Sequence, residues 1–100
     1  MRLSNKQKEI IEKTAIRHFG ENVRVYLFGS RVHPEQKGGD IDLFLEGVPE
    51  EMIDIKNKIA FIVDLKKSLG DQKIDVVFKS RKIPQSKFHQ IIEKTKVPLC

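Results

Sequence analysis

The stretch at residues 27–45, LFGSRVHPEQKGGDIDLFL, decides the fold. Gly29-Ser30 stands at the end of an apolar run, nine residues of polar loop follow, and Asp40-Ile41-Asp42 opens a second apolar run. In a strand successive side chains alternate between faces, so Asp40 and Asp42 project side by side while Ile41, Leu43 and Leu45 take the other face. Two carboxylates held that close repel each other unless a cation sits between them. A hard divalent ion with oxygen ligands suits them, Mg²⁺ first and Mn²⁺ as its substitute.

A third carboxylate fits the same picture. Residues 73–79, KIDVVFK, read as another short strand, with Ile74, Val76 and Phe78 on one face and Asp75 on the other. If this strand lies beside the Asp40–Asp42 strand, three carboxylates converge on one patch of sheet. That is the ligand set of a two-metal phosphoryl- or nucleotidyl-transfer site, where one ion activates the attacking oxygen and both brace the transferred phosphorus. Gly29-Ser30 supplies a complement. A glycine after a strand lets the backbone turn tightly, and the amides opening a following helix form an anion site suited to phosphate.

These residues, Phe28-Gly29-Ser30-Arg31, then Asp40-Ile41-Asp42-Leu43, then Asp75, resemble the DNA polymerase β-like nucleotidyltransferase superfamily. The similarity is nearest to the minimal nucleotidyltransferases (MNT proteins) of prokaryotes, whose core reads Gly-Ser, a loop, then Asp-x-Asp. It covers nearly the whole chain. Gly38-Gly39 stands where that group often has a polar residue, and the loop is one residue short of its commonest spacing.

The resemblance implies transfer of AMP from ATP to a hydroxyl acceptor, with Asp40, Asp42 and Asp75 as catalytic metal ligands and Gly29, Ser30 and Arg31 at the nucleotide. It implies two Mg²⁺ ions and ATP as substrate. It also implies a toxin–antitoxin pairing with a HEPN-domain protein encoded alongside, the antitoxin adenylylating its toxin, often on a tyrosine. Two other classes stay open: an antitoxin that acts by binding alone, and a catalytic subunit that modifies a small molecule or RNA. Arg31 reads equally as a surface residue, and Lys37 is a weaker phosphate candidate.

Length and composition agree with one domain over residues 1–100, with an adequate core. No apolar run approaches the ~20 residues that span a membrane, and the N-terminus has no apolar signal region. The single cysteine, Cys100, leaves no disulfide and no thiolate metal site, which suits a reducing cytoplasm. His18, His33 and His89 show no ligand spacing. Asp54, Asp64 and Asp71 are assigned to helix or turn surfaces.

The coarse organisation alternates helix and strand as αβαβαβα, an α/β (α+β) domain with helices packed on one face of a small mixed sheet. Ser4 with Gln7 reads as a capping box opening a helix to about Phe19, its apolar face made of Leu3, Ile10, Ala15 and Phe19. A strand over 23–28 follows, then a short helix over 30–33 and a loop over 34–39. Pro49 reads as the start of a long helix to about Leu69, with a stripe of Met52, Ile55, Ile59, Ile62 and Leu69. Pro84 opens a last helix with Phe88, Ile91 and Ile92 facing inward.

The net charge of +5 is unevenly placed. Residues 1–20 carry five basic and two acidic groups, 21–50 three and six, 51–70 four and three, and 71–100 seven and three. The acidic block is the motif segment, and the basic ends are mostly solvated helix faces. Without aromatic–basic interleaving, nucleic acid is not expected as a partner. The C-terminal segment from Lys87 through Val97, Pro98 and Leu99 is expected to serve a partner or a homo-oligomer contact.

Overall fold

The first helix starts where a side chain can close it. The computed structural model describes residues 3–28, 41–81 and 87–99 and places Ser4 at the N-cap of α1 (Asn5–Phe19). Ser4 Oγ accepts the Gln7 amide at 3.1 Å and Gln7 Oε1 accepts the Ser4 amide at 2.9 Å. This is the reciprocal box expected from the sequence, and it satisfies amides that have no partner within the first turn. Ile11, Ala15 and Phe19 form the buried face. Ile11 takes the inward place expected of Ile10, which is only half-buried.

Four strands follow the order β3-β2-β1-β4: β1 (Arg24–Leu27), β2 (Ile41–Glu46), β3 (Ile74–Phe78) and β4 (Val97–Pro98). β1 runs antiparallel to β2 and to β4, and β2 runs parallel to β3. A parallel pair needs a long crossover, which α2 (Ile55–Leu69) provides. Gly47, just past β2, has φ 76°, and a Cβ there would lie 2.1 Å from the Asn22 carbonyl oxygen, so the close approach requires glycine.

The helix expected from Pro49 is two pieces. A 3-10 turn spans Glu50–Met52, and Asp54 then caps α2 by accepting the Asn57 amide at 2.7 Å. Asp54 is thus a cap and not mere surface. The inward stripe also differs. Phe61 and Leu65 are fully buried, with Ile62 and Leu69 partly so, whereas Met52, Ile55 and Ile59 are 36, 74 and 53% exposed. α2 carries two apolar rows, and only one can face the core. The row holding Phe61 wins, because Phe61 meets Phe19 edge-on at 5.2 Å and Phe19 in turn meets Phe78 at 5.5 Å.

Strand alternation sorts the remaining side chains. Val25 and Leu27, Ile41, Leu43 and Leu45, and Ile74, Val76 and Phe78 join residues of α1 and α2 in the main core. On the opposite face Tyr26, Phe28, Phe44 and Val77 pack with Ile92 of α3 (Lys87–Thr95). The fold class is the mixed α/β one expected, with one amendment: α1 and α2 share a face and α3 covers the other. Ile91 is 59% exposed, not inward, since neighbours on a helix stand about 100° apart and Ile92 takes the sheet side.

β4 was not anticipated. Pro98 is tolerated because an edge position needs no amide. The Leu99 amide donates to the Val25 carbonyl at 3.0 Å, and Leu99 lies in the main core. The segment expected to serve association therefore completes the sheet, and burying Leu99 alone stabilises the fold by about 1.5–3 kcal/mol. Gly29, Ser30, Arg31, Lys37, Asp40, the 30–33 helix, the 34–39 loop, the Pro84 helix start and the Phe88 side chain lie outside what is described.

Candidate functional site

The register of β2 and β3 sets Asp42 opposite Asp75. Paired strands lie about 4.8 Å apart, so these carboxylates leave one sheet face as immediate neighbours. The core fixes this phase. Ile41 and Leu43 beside Ile74 and Val76 are buried on the α1–α2 side, and a one-residue slip would turn both aspartates into that core. The Ile41 amide donates to the Lys73 carbonyl at 2.8 Å and anchors this end of the ladder. Asp42 is half-buried and Asp75 exposed.

The chain also leaves β1 at this end. The Phe28 amide donates to the Asp42 carbonyl at 3.2 Å, so the residue before Gly29 is tied to the strand that carries the carboxylate. Of the residues singled out in the sequence, the described part of the site is thus Asp42 and Asp75, brought side by side. Asp40, Gly29, Ser30 and Arg31 lie outside it. Among the described residues no group of three or more His, Cys, Asp or Glu converges. What converges is an oxygen pair of like charge, the donor chemistry that a hard divalent cation neutralises and that soft metals do not select.

The far end of the same face carries the opposite arrangement. Lys96 Nζ pairs with Glu46 and donates to Glu93 Oε1 at 2.6 Å, while Lys79 Nζ stands 2.8 Å from Glu93 Oε2. Lys96 also sits 4.1 Å above the Tyr26 ring, a cation–π contact. Lys79, then Lys96, hold the Glu93 carboxyl below its ordinary range. For Lys96, burial lowers the pKa, but Glu46 and Glu93 outweigh it and raise the ammonium above its usual value. The sequence reading gave Lys96 no individual role, placing it only within the basic C-terminal segment. The Glu93–Lys96 spacing was legible, the 50-residue reach to Glu46 was not.

Asp64 is likewise more than surface. Arg17 donates to its Oδ2 at 2.6 Å and His18 Nε2 lies 2.8 Å from the same oxygen, which joins α1 to α2. Arg17 foremost, then His18, pulls the Asp64 pKa down to about 2. A cleft of about 210 Å³ lined by Glu12, Arg24, Tyr26 and Leu99 opens at the β1–β4 edge, away from the aspartates. Among the described residues no helix is long and apolar enough to cross a membrane.

Comparison with known proteins adds the family. The family model "Polymerase beta, Nucleotidyltransferase" matches residues 6–100. A solved structure described as "Crystal structure of the toxin-antitoxin with AMP-PNP" superposes with a TM-score of 0.69 at 22% identity, covering 97% of this chain and 73% of that one. At that identity the likeness is one of fold. No curated protein matches.

Proposed function

The chain belongs to the polymerase β nucleotidyltransferase family, and on that premise we propose that it transfers AMP from ATP to a hydroxyl of a protein acceptor. The observation that carries this is the Asp42–Asp75 pair at the strand end where the Gly29-Ser30 segment departs. Asp40, two residues before Asp42, would share its face by strand alternation. Asp40 and Asp42 would hold two divalent ions, Mg²⁺ or Mn²⁺, with Asp75 on the one nearer the acceptor. When bound, such ions lower the pKa of the attacking hydroxyl and offset charge at the transferred phosphorus.

The chain's own groups would do the rest. Ser30 and adjacent amides hold the β- and γ-phosphates, with Arg31 beside them. Asp75 orients the acceptor hydroxyl and takes its proton. The acceptor oxygen bonds the α-phosphorus while the bond to the β-phosphate oxygen breaks, and pyrophosphate leaves. Residues 1–100 form one minimal catalytic domain in this reading, and the acceptor is a side chain of a partner protein. The fold shared with a toxin–antitoxin structure supports a toxin as partner; in this reading that toxin is a HEPN protein, modified on a tyrosine in the cytoplasm.

Calorimetry tests the reading directly. ATP should bind far more tightly with Mg²⁺ than in EDTA, and labelled AMP should reach the co-expressed toxin. Equal affinity in EDTA refutes the metal bridge. Metal-dependent ATP binding without transfer to protein would instead favour the binding-only antitoxin or a small-molecule or RNA acceptor.

A further inference from the structure

On the side of β3 that α3 covers, side chains leave the strand at residues 75 and 77 and, by continuation, at 73 and 79. Val77 packs in the α3-side cluster and Lys79 Nζ stands 2.8 Å from Glu93 Oε2, so the alternation holds along the strand. Ile74 is buried in the main core on the other side, which turns the exposed Lys73 to the face of Asp75. Lys73 and Lys79 thus bracket the strand, and they differ. Lys79 is tied to the scaffold, whereas among the described residues no ion pair engages Lys73. Asp71, exposed in the bend after α2, pairs with no lysine among them either. The Lys73 carbonyl accepts the Ile41 amide at 2.8 Å, so the backbone carrying this cation is fixed in the ladder.

Its place in the sheet decides what Lys73 can reach. β2 lies between β3 and β1, and two strand spacings come to about 10 Å. The Gly29-Ser30 segment departs from β1, so Lys73 flanks the carboxylates on the opposite side. An acceptor hydroxyl brought to Asp75 passes beside Lys73 instead. The two residues are about 6.6 Å apart along the strand, which is also the spacing of alternate side chains in an extended acceptor segment. Asp42 and Asp75 repel an acidic group arriving at this end, and a cation on the same face offsets that repulsion. A basic group would meet Lys73 as like charge.

On the reading that a protein hydroxyl is the acceptor, we propose that Lys73 selects it, pairing with an acidic side chain two residues from the modified hydroxyl. Lys73 is then a specificity residue on the acceptor side and takes no part in holding ATP.

Two tyrosine peptides test this, alike except for glutamate or lysine at both positions two residues from the tyrosine, with labelled ATP and Mg²⁺. The parent protein should favour the glutamate peptide by at least about fivefold in kcat/KM, through KM, and added salt should flatten the preference. Lys73→Met should abolish the preference and Lys73→Glu should invert it. Each ratio compares two acceptors on one protein, so altered metal loading cancels. By calorimetry, Lys73→Met should bind ATP with Mg²⁺ within about threefold of the parent. Because Lys73 is exposed, both variants should melt like the parent. Equal use of the two peptides by the parent, or transfer to neither, overturns the proposal, as does a preference that survives Lys73→Glu. A collapse of ATP affinity in Lys73→Met overturns it as well and assigns the lysine to the nucleotide. Parent ATP binding that ignores Mg²⁺ overturns the metal-dependent reading itself, a result separate from any peptide preference.

Discussion

On the sheet face that α3 covers, the two ends handle charge in opposite ways. At the start of β2 and β3, Asp42 faces Asp75, like beside like. At their far end Glu46 and Glu93 are interleaved with Lys96 and Lys79, and Phe44 lies between the two groups in sequence and sheet. A paired cluster satisfies itself and holds α3 down. The like-charged pair instead sets two carboxylates side by side at one strand end. The difference marks one end as scaffold and makes the other the candidate site.

The largest expected effect breaks the site end. Asp42→Asn should lower AMP transfer by roughly 100-fold or more, since even groups behind a metal ligand cost about 10–100-fold. Removing one of two repelling charges should leave the metal-free Tm unchanged or higher. A marked fall in Tm would place Asp42 with the scaffold.

Asp75→Ala sharpens the same end. It should depress kcat strongly with a smaller change in the ATP dissociation constant, because its role is on the acceptor side. If ATP binding collapses while bound ATP still reacts, the roles of the two aspartates are exchanged.

Lys96→Met breaks the other end. It leaves Glu46 and Glu93 facing each other, and with the Lys96 side chain 16% exposed the loss should be about 2 kcal/mol by denaturant titration. Activity per folded molecule should not change. A drop in activity at unaltered stability would mean the ion cluster reaches the aspartates.

The smallest effect is in pH. Glu93 is held below its ordinary 4.5, first by Lys79 and then by Lys96, so the unfolded chain binds its proton first as the solution is acidified. Its stabilisation is complete above that ordinary value and fades as pH falls through the folded one. Asp64, pulled from 3.8 to about 2, adds a second and lower window. Thermal melts across the acid range should therefore show a decline that Glu93→Gln softens in its upper part and Asp64→Asn in its lower part.

What was legible follows from what is local. The Ser4–Gln7 box, the alternation in IDLFL and KIDVVF, and the turn-forming glycines are properties of neighbouring residues. The Asp42–Asp75 adjacency entered the sequence reading only as a condition, and the parallel β2–β3 register meets it. The inward row of α2 was misread, since both of its rows look apolar in sequence and only contact with Phe19 and Phe78 discriminates them. β4 was missed because two residues carry no periodicity, and its pairing with β1 joins distant parts of the chain.

By itself, then, the sequence determined the alternating helix–strand order and which side chains share a strand face, because backbone geometry dictates both. Tertiary structure alone decided which helix row is buried, that α3 crosses to the other face, and that Lys96 closes on Glu46. Those choices depend on competition among surfaces and charges that meet only when the sheet has assembled, and no local pattern encodes the winner.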